Sequence, residues 1–262
     1  MERTNTRAAF PFLIGLALLM PPGLLAGNPS ASRRTSGVSL AFARYVATLE
    51  SPNPFAQSEP VAIEIEASLP GLFKQGRVLA FRKTDDSGHS QYLLLQVEGD
   101  PTVVHEVIVP YLAIQDHIED LPTSSVAITP ANYRFQYVGE VGTQSSSAYV
   151  FRITPKKKRD GLLQGELWID AVTGIGTVQT GRFVKPLSTF ASQIQVVTDT
   201  TLVNGIPLER VTHVTIATRV AGRGELSITE SRLLGIENGP ALPGVQSTVL
   251  KSSLAQAIAS IE

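Results

Sequence analysis

The chain predicts a mainly β protein organised on a curled antiparallel sheet of about ten to twelve strands, with one helix towards each end. Three observations carry this. Runs with a two-residue apolar period recur along most of the sequence, turn-forming residues separate them, and clear 3.6-residue periods occur only near the two ends. Charged carboxylates and amides alternate with the apolar positions, so one sheet face is expected to meet water.

Residues 148–184, AYVFRITPKKKRDGLLQGELWIDAVTGIGTVQTGRFV, show the pattern most clearly. Tyr149, Phe151 and Ile153 alternate with Val150, Arg152 and Thr154, and Pro155 ends that strand because it cannot donate to a ladder. A basic turn follows. Leu163, Gly165, Leu167 and Ile169 then alternate with Gln164, Glu166, Trp168 and Asp170, and a turn through Gly174 and Gly176 leads into 177–183.

The other elements follow in order. Residues 1–26 hold Arg3 and Arg7, then a mostly apolar run ending at Leu24-Leu25-Ala26, the pattern of a secretory signal peptide. The alternative is an uncleaved segment that holds the chain at the inner membrane, although Pro11, Pro21 and Pro22 interrupt the run. Residues 27–37 read as a flexible leader, and 38–262 as one β-rich domain with terminal helices. Leu40, Ala43, Val46 and Ala47 share a helical face, with Phe42 and Leu49 at its edge. Strands are expected near 61–66, 77–83, 91–97 and 103–109, the last closed by Pro110. Residues 111–129 give a short helical turn or loop. Further strands follow at 133–138, 192–201, 209–220 and 225–233, with Asn204-Gly205 as a tight turn. Val245, Val249, Leu250, Leu254 and Ile258 form the last helical stripe.

Composition narrows the function. With 22 basic and 23 acidic residues the formal charge is −1, and removal of residues 1–26 would leave −2. Neither value suits a nucleic-acid binder. The chain has no cysteine, so it has neither a disulfide framework nor a thiol for lipid attachment, and a bacterial periplasm or secretion after signal removal fits it best.

No catalytic pattern stands out. The four histidines, His89, His105, His117 and His213, are widely spaced, so no metal site is assigned, and no cofactor is implied. There is no nucleophile elbow, and Asp85-Asp86 and Glu119-Asp120 read as solvated pairs in polar loops. Lys156, Lys157, Lys158 and Arg159 are either a soluble hairpin turn or a contact for anionic headgroups or an acidic partner. Tyr133, Phe135, Tyr137 and Trp168 either pack beneath a helix or line an apolar cavity. Leu40, Phe42, Leu49, Leu250 and Leu254 are the candidate lid.

The order of strand, proline and basic turn, strand ending in Ile169-Asp170, Thr173-Gly174 turn and strand resembles the outer-membrane lipoprotein-sorting, LolA-like group of exported bacterial proteins. Val203-Asn204-Gly205-Ile206-Pro207 and the strands around Gly222-Arg223-Gly224 add to the likeness, which covers 130–235. The resemblance implies a half-open β-barrel whose concave side is covered by helices. It also implies a non-catalytic role in carrying a lipid or lipoprotein acyl chain or in sensing envelope components, with Trp168 and Asp170 structural. The expectation is therefore an exported, non-enzymatic protein holding a lipid or other hydrophobic ligand. The alternative is an envelope interaction or scaffold protein with a packed interior and a protein partner. The oligomeric state is left open.

Overall fold

The computed structural model describes residues 29–50, 60–84, 90–143, 146–186, 191–218 and 222–233, with 253, 254 and 258. Ten strands form one antiparallel sheet in the order β3-β2-β1-β10-β9-β8-β7-β6-β5-β4. In chain order they are β1 (Val61–Leu69), β2 (Lys74–Thr84), β3 (Ser90–Gly99), β4 (Tyr133–Thr143), β5 (Ser146–Pro155), β6 (Leu163–Asp170), β7 (Gly176–Phe183), β8 (Ala191–Val203), β9 (Ile206–Thr218) and β10 (Gly222–Arg232). From β5 to β10 each strand pairs with the one before it, and β10 then pairs with β1.

The expected curled half-barrel is corrected here. The sheet is open: β3 and β4 are its two edges, each paired on one side only. Both edges carry a bulge, at Leu95 between the partners of Leu79 and Ala80, and at Val138 between Tyr137 and Gly139. A bulge leaves one residue outside the ladder and twists the strand, which is how exposed edges avoid further pairing.

The helices also differ from the expected pair. Helix α1 (Pro29–Thr48) begins inside the stretch read as a leader. A second helical segment joins the two edges of the sheet: α2 (Pro101–Val103), a π-helical stretch (Val104–Ile108) and α3 (Val109–Glu119), then α4 (Thr123–Val126). The sequence VVHEVIV was expected to be a strand because its β-branched residues favour one. Asp100 decides otherwise. Its carboxylate accepts the Thr102 N–H at 2.8 Å, and Pro101 occupies the first helical position, where its missing N–H costs nothing. Val103, Val104, Val107, Ile108, Tyr111 and Ile114 are then buried, the spacing of one helical face. The Val109 N–H reaches back to Val104 O, five residues away, just before Pro110, whose ring would crowd the preceding turn in α geometry. Of the apolar stripe of the expected C-terminal helix, only Leu254 and Ile258 lie among the described residues, and both are buried.

Both cores lie on one face of the sheet. Strict alternation sends Val61, Ile63, Ile65, Ala67 and Leu69 of β1 to that face. With Val78, Val214, Ile216, Leu226, Leu254 and Ile258 they meet the 101–119 helical segment in an aliphatic cluster. At the other end Tyr133, Phe151, Ile153, Leu167 and Ile169 meet Ala41 and Tyr45 of α1 in an aromatic cluster. A fully buried Val or Ile contributes about 1.5–3 kcal/mol of transfer free energy, so the aliphatic cluster anchors the fold.

Candidate functional site

The aromatic cluster is the candidate site. Antiparallel register places Tyr137 opposite Phe151, and Phe151 opposite Leu167, on the helix-covered face. Tyr133 and Phe135 precede them on that face of β4, and Tyr149 lies beside Ile169 on β5. Five rings from two adjacent strands thus form a wall. Phe42 of α1 closes it, with centroids 5.0 Å from Phe135 and 5.3 Å from Phe151. Tyr137, 44% exposed, stands at the open end against Tyr149 and Phe151.

The face of α1 that packs on the wall is Val38, Ala41, Phe42, Tyr45 and Val46, a clean helical stripe. It is displaced from the stripe expected from sequence. Leu40 is 52% exposed and Leu49 is also exposed, so of the candidate lid residues on α1 only Phe42 reaches the wall. Leu254 packs in the aliphatic cluster instead, and Leu250 lies outside the described residues.

Two hydrogen bonds to backbone carbonyls hold α1 in place: Tyr45 Oη donates to Ile128 O at 2.7 Å, and an Arg44 guanidinium nitrogen donates to Val172 O at 2.6 Å. Burial, with Tyr133 close by, pushes the Tyr45 hydroxyl well above the ordinary phenol range, so it stays a neutral donor. The turn beneath is built by Asp170, whose Oδ1 accepts from the Val172 N–H, the Thr173 N–H and the Thr173 hydroxyl. Gly174 completes it at φ +77°, and a Cβ there would come within 2.4 Å of the Arg44 Cβ. Glycine is needed both for the left-handed backbone and for the approach of α1.

Trp168 is elsewhere. Its register partners Val150 and Val178 put it on the opposite face, and its indole N–H is buried with no acceptor among the described residues. Tyr133 is fully buried, and its hydroxyl accepts the Leu163 N–H at 3.1 Å.

The basic turn divides in two. Lys156 Nζ donates to Pro130 O, and Arg159 donates to Asn132 Oδ1 at 2.6 Å, so both staple the 128–132 loop that receives Tyr45. Lys157 and Lys158 are exposed. His89 lies outside the described residues, while His105, His117 and His213 are exposed at separate places. Among the described residues no three potential ligands come together for a metal ion. On the opposite face an open depression of about 710 Å³ is lined by Glu66, Arg77, Glu98, His213 and Glu225, polar walls unsuited to an acyl chain.

Sequence reasoning passed over Tyr149 and Phe151 as wall residues, Tyr45 as an anchor and Gly174 as the docking point. The alternation of 149, 151 and 153 marked the first two; nothing local marks the others, because their partners are more than 80 positions away.

No family model matches the chain, and no curated protein matches it. Among solved structures, a DUF1329 family protein from Desulfovibrio piger is 10% identical, with 76% of this chain and 94% of that one covered and a TM-score of 0.38. A LolA superfamily protein from Nitrosomonas europaea is 12% identical over 75% and 94%, with a TM-score of 0.32. MucB is 13% identical over 76% and 94%, with a TM-score of 0.25. At these identities and scores the likenesses place this chain in no particular family.

Proposed function

We propose that this chain is an exported, non-enzymatic binding protein that takes a lipid or other hydrophobic ligand on the aromatic wall of β4 and β5, in the place held by the apolar stripe of α1. One observation carries the reading. Tyr133, Phe135, Tyr137, Tyr149 and Phe151 share one face, and Phe42 and Tyr45 of a single terminal helix cover them. An acyl chain entering that interface gains about 0.8 kcal/mol for each methylene removed from water. It competes with α1, so its apparent affinity is reduced by the fraction of molecules in which the helix is docked. Export follows from the pattern of residues 1–26.

The test is uptake of a fluorescent fatty acid by the full mature chain. Tyr45→Phe with Arg44→Ala removes these two long-range bonds of α1 and is expected to raise uptake. The chain has no cysteine, so Arg44→Cys with Val172→Cys, bridged by a short bismaleimide, closes the helix selectively and is expected to abolish uptake. No uptake by the loosened variant, together with lipid-free protein from a detergent-free preparation, overturns the proposal.

The second reading, an envelope interaction protein with a packed interior, draws on a different place. At the β1–β2 hairpin Leu72 is half exposed and Phe73 is 97% exposed, held at φ 55°. A large apolar side chain at full exposure and in a left-handed conformation is a contact waiting for a partner rather than a packing residue. Phe73→Ser leaves fatty-acid uptake unchanged under the first reading and abolishes capture of an envelope partner under the second.

A further inference from the structure

The outer face of the sheet, away from the helices, carries its charge unevenly. One register row crosses all ten strands there, from Gln136 on β4 through Arg152 and Glu166 to Glu66, Arg77 and Glu98 on β1, β2 and β3. At the β1–β3 end cations meet carboxylates: Arg77 lies 2.5 Å from Glu64, and Arg223 of β10 lies 2.9 Å from Glu225. The β4–β7 end differs. Two residues along from the row, Arg134 of β4 and Arg182 of β7 belong to the same face as Arg152, and all three are exposed. Glu166 is the one carboxylate that the described residues place on these two rows between β4 and β8, and it stands opposite Arg152 without an ion pair. At about 4.8 Å between strands, Arg134 and Arg182 lie about 14 Å apart across the sheet.

The β5–β6 turn adds to this end. Tyr133 pairs with Pro155 and Leu163 with Phe183, so the turn leaves the sheet beside Arg134 and Arg182. Lys156 and Arg159 donate to neutral oxygens, of Pro130 and Asn132, which offset none of their charge. Lys185 is matched by Asp160 at 3.3 Å. Lys157 and Lys158 are exposed, and neither side chain has an ion-pair or hydrogen-bond partner among the described residues. The same holds for the side chains of Arg134, Arg152 and Arg182. These five cations, on three of four neighbouring strands and one turn, therefore face solvent with a single carboxylate among them.

We propose that this half of the outer face, with the β5–β6 turn leading, docks on an anionic bilayer surface. Docking uses the face away from the aromatic wall and does not depend on ligand binding there. Spread charge of this kind suits a bilayer better than a protein. Among the described residues no large apolar side chain is exposed on the two rows or the turn, whereas a protein interface is centred on buried aromatic or apolar anchors. A membrane surface potential needs no anchor. It acts on each Lys or Arg within a Debye length, about 8 Å at physiological salt, and each such cation raises partitioning about fivefold. The same surface repels the carboxylates of the β1–β3 end, which fixes the orientation of the docked chain.

Cosedimentation of the full mature chain with vesicles tests this, using phosphatidylglycerol and phosphatidylcholine in equal parts against phosphatidylcholine alone. Binding to the anionic vesicles is expected to exceed binding to the neutral ones at least about tenfold, and to disappear in about half-molar sodium chloride. Lys157→Gln with Lys158→Gln is expected to weaken it about tenfold or more, and Arg134→Gln, Arg152→Gln and Arg182→Gln together to abolish the preference. Arg134→Lys, Arg152→Lys and Arg182→Lys together are expected to keep it, because a surface potential reads charge and not the guanidinium fork. Lys83→Gln, at an exposed cation of β2, is the unchanged control. Equal binding to both kinds of vesicle overturns the bilayer site, as does a loss with Lys83→Gln as large as with the lysine pair. A requirement for arginine over lysine also overturns it, and assigns the patch to a carboxylate-bearing protein instead. Fatty-acid uptake is expected to be the same in all these variants, so docking and ligand binding fail separately.

Discussion

The two ends of the sheet use the same face and the same pairing, yet they are packed in different ways. Under the 101–119 segment the contacts are mainly aliphatic, with Tyr92 and Tyr111 among them, and Ile65, Leu69, Val78, Val103, Val107 and Ile108 are almost wholly buried. Branched side chains make up most of that cluster. Under α1 the contacts are between rings, with centroids 5.0–6.4 Å apart, and Tyr137 remains 44% exposed. The covers are attached differently too. The 101–119 segment lies between two strands of the sheet and is tethered to it at both ends, whereas α1 lies N-terminal to every strand. A core packed mainly by a segment tethered at both ends and a core covered by a helix tethered to the sheet on one side have different energetic costs of opening, and that is the physical basis for placing the site at β4–β6.

The largest expected effect tests the fixed half. Ile108→Ala, at a fully buried position, is expected to cost about 2–5 kcal/mol in urea unfolding while leaving fatty-acid uptake per folded molecule unchanged. In the movable half Phe42→Ala is expected to cost less, about 1–3 kcal/mol because the ring is only partly buried, and to raise uptake. If both substitutions change stability alone, the two halves are equivalent and the distinction fails.

Gly174→Ala sharpens the comparison by acting on the dock. Its φ of +77° and the 2.4 Å approach to Arg44 Cβ both penalise a side chain. A loss of at least about 1 kcal/mol is expected, with hydrogen exchange accelerated in α1 and not in 101–119. Unaltered exchange in α1 would show that the turn does not control the helix.

The smallest effect concerns pH in the fixed half. Ser253 Oγ donates to Asp116 Oδ2 at 2.5 Å. Burial nevertheless raises the Asp116 carboxyl above its ordinary range, with Asp120 adding to the rise and the Ser253 bond opposing it. The folded chain therefore holds this proton more tightly than the unfolded one, and its contribution to stability falls as pH rises from the unfolded to the folded pKa. Asp116→Asn keeps an acceptor for Ser253 and is expected to flatten that slope in urea midpoints taken from about pH 4 to pH 7. An unchanged slope would assign the pH dependence to other carboxylates.

Much of this architecture was legible before any coordinates. The sequence reading placed a strand at each of the ten observed positions, because a strand with one buried face writes its own pattern. Asn204-Gly205 turned as its chemistry requires, with φ of 53° and 76°. Residues 103–109 misled for a local reason, since Val-Val and Val-Ile-Val satisfy both a buried strand and a buried helix face. The N-cap at Asp100 and Pro101 was the signal that separates them. On α1 the period was clear and the face was not, because Tyr45 was left out of the stripe and Leu40 put into it.

By itself, then, the sequence determined strand content, turn positions, the wet outer face and the absence of a catalytic pattern, all of which depend on residues close in the chain. Tertiary structure alone decided that the sheet stays open, since pairing β10 with β1 leaves β3 and β4 as separate edges. It also decided that Trp168 and Tyr137 lie on opposite faces and that the wall meets α1 through Tyr45, Arg44 and Gly174. Those outcomes depend on register and on contacts between distant residues, and a two-residue period is blind to both until the strands find their neighbours.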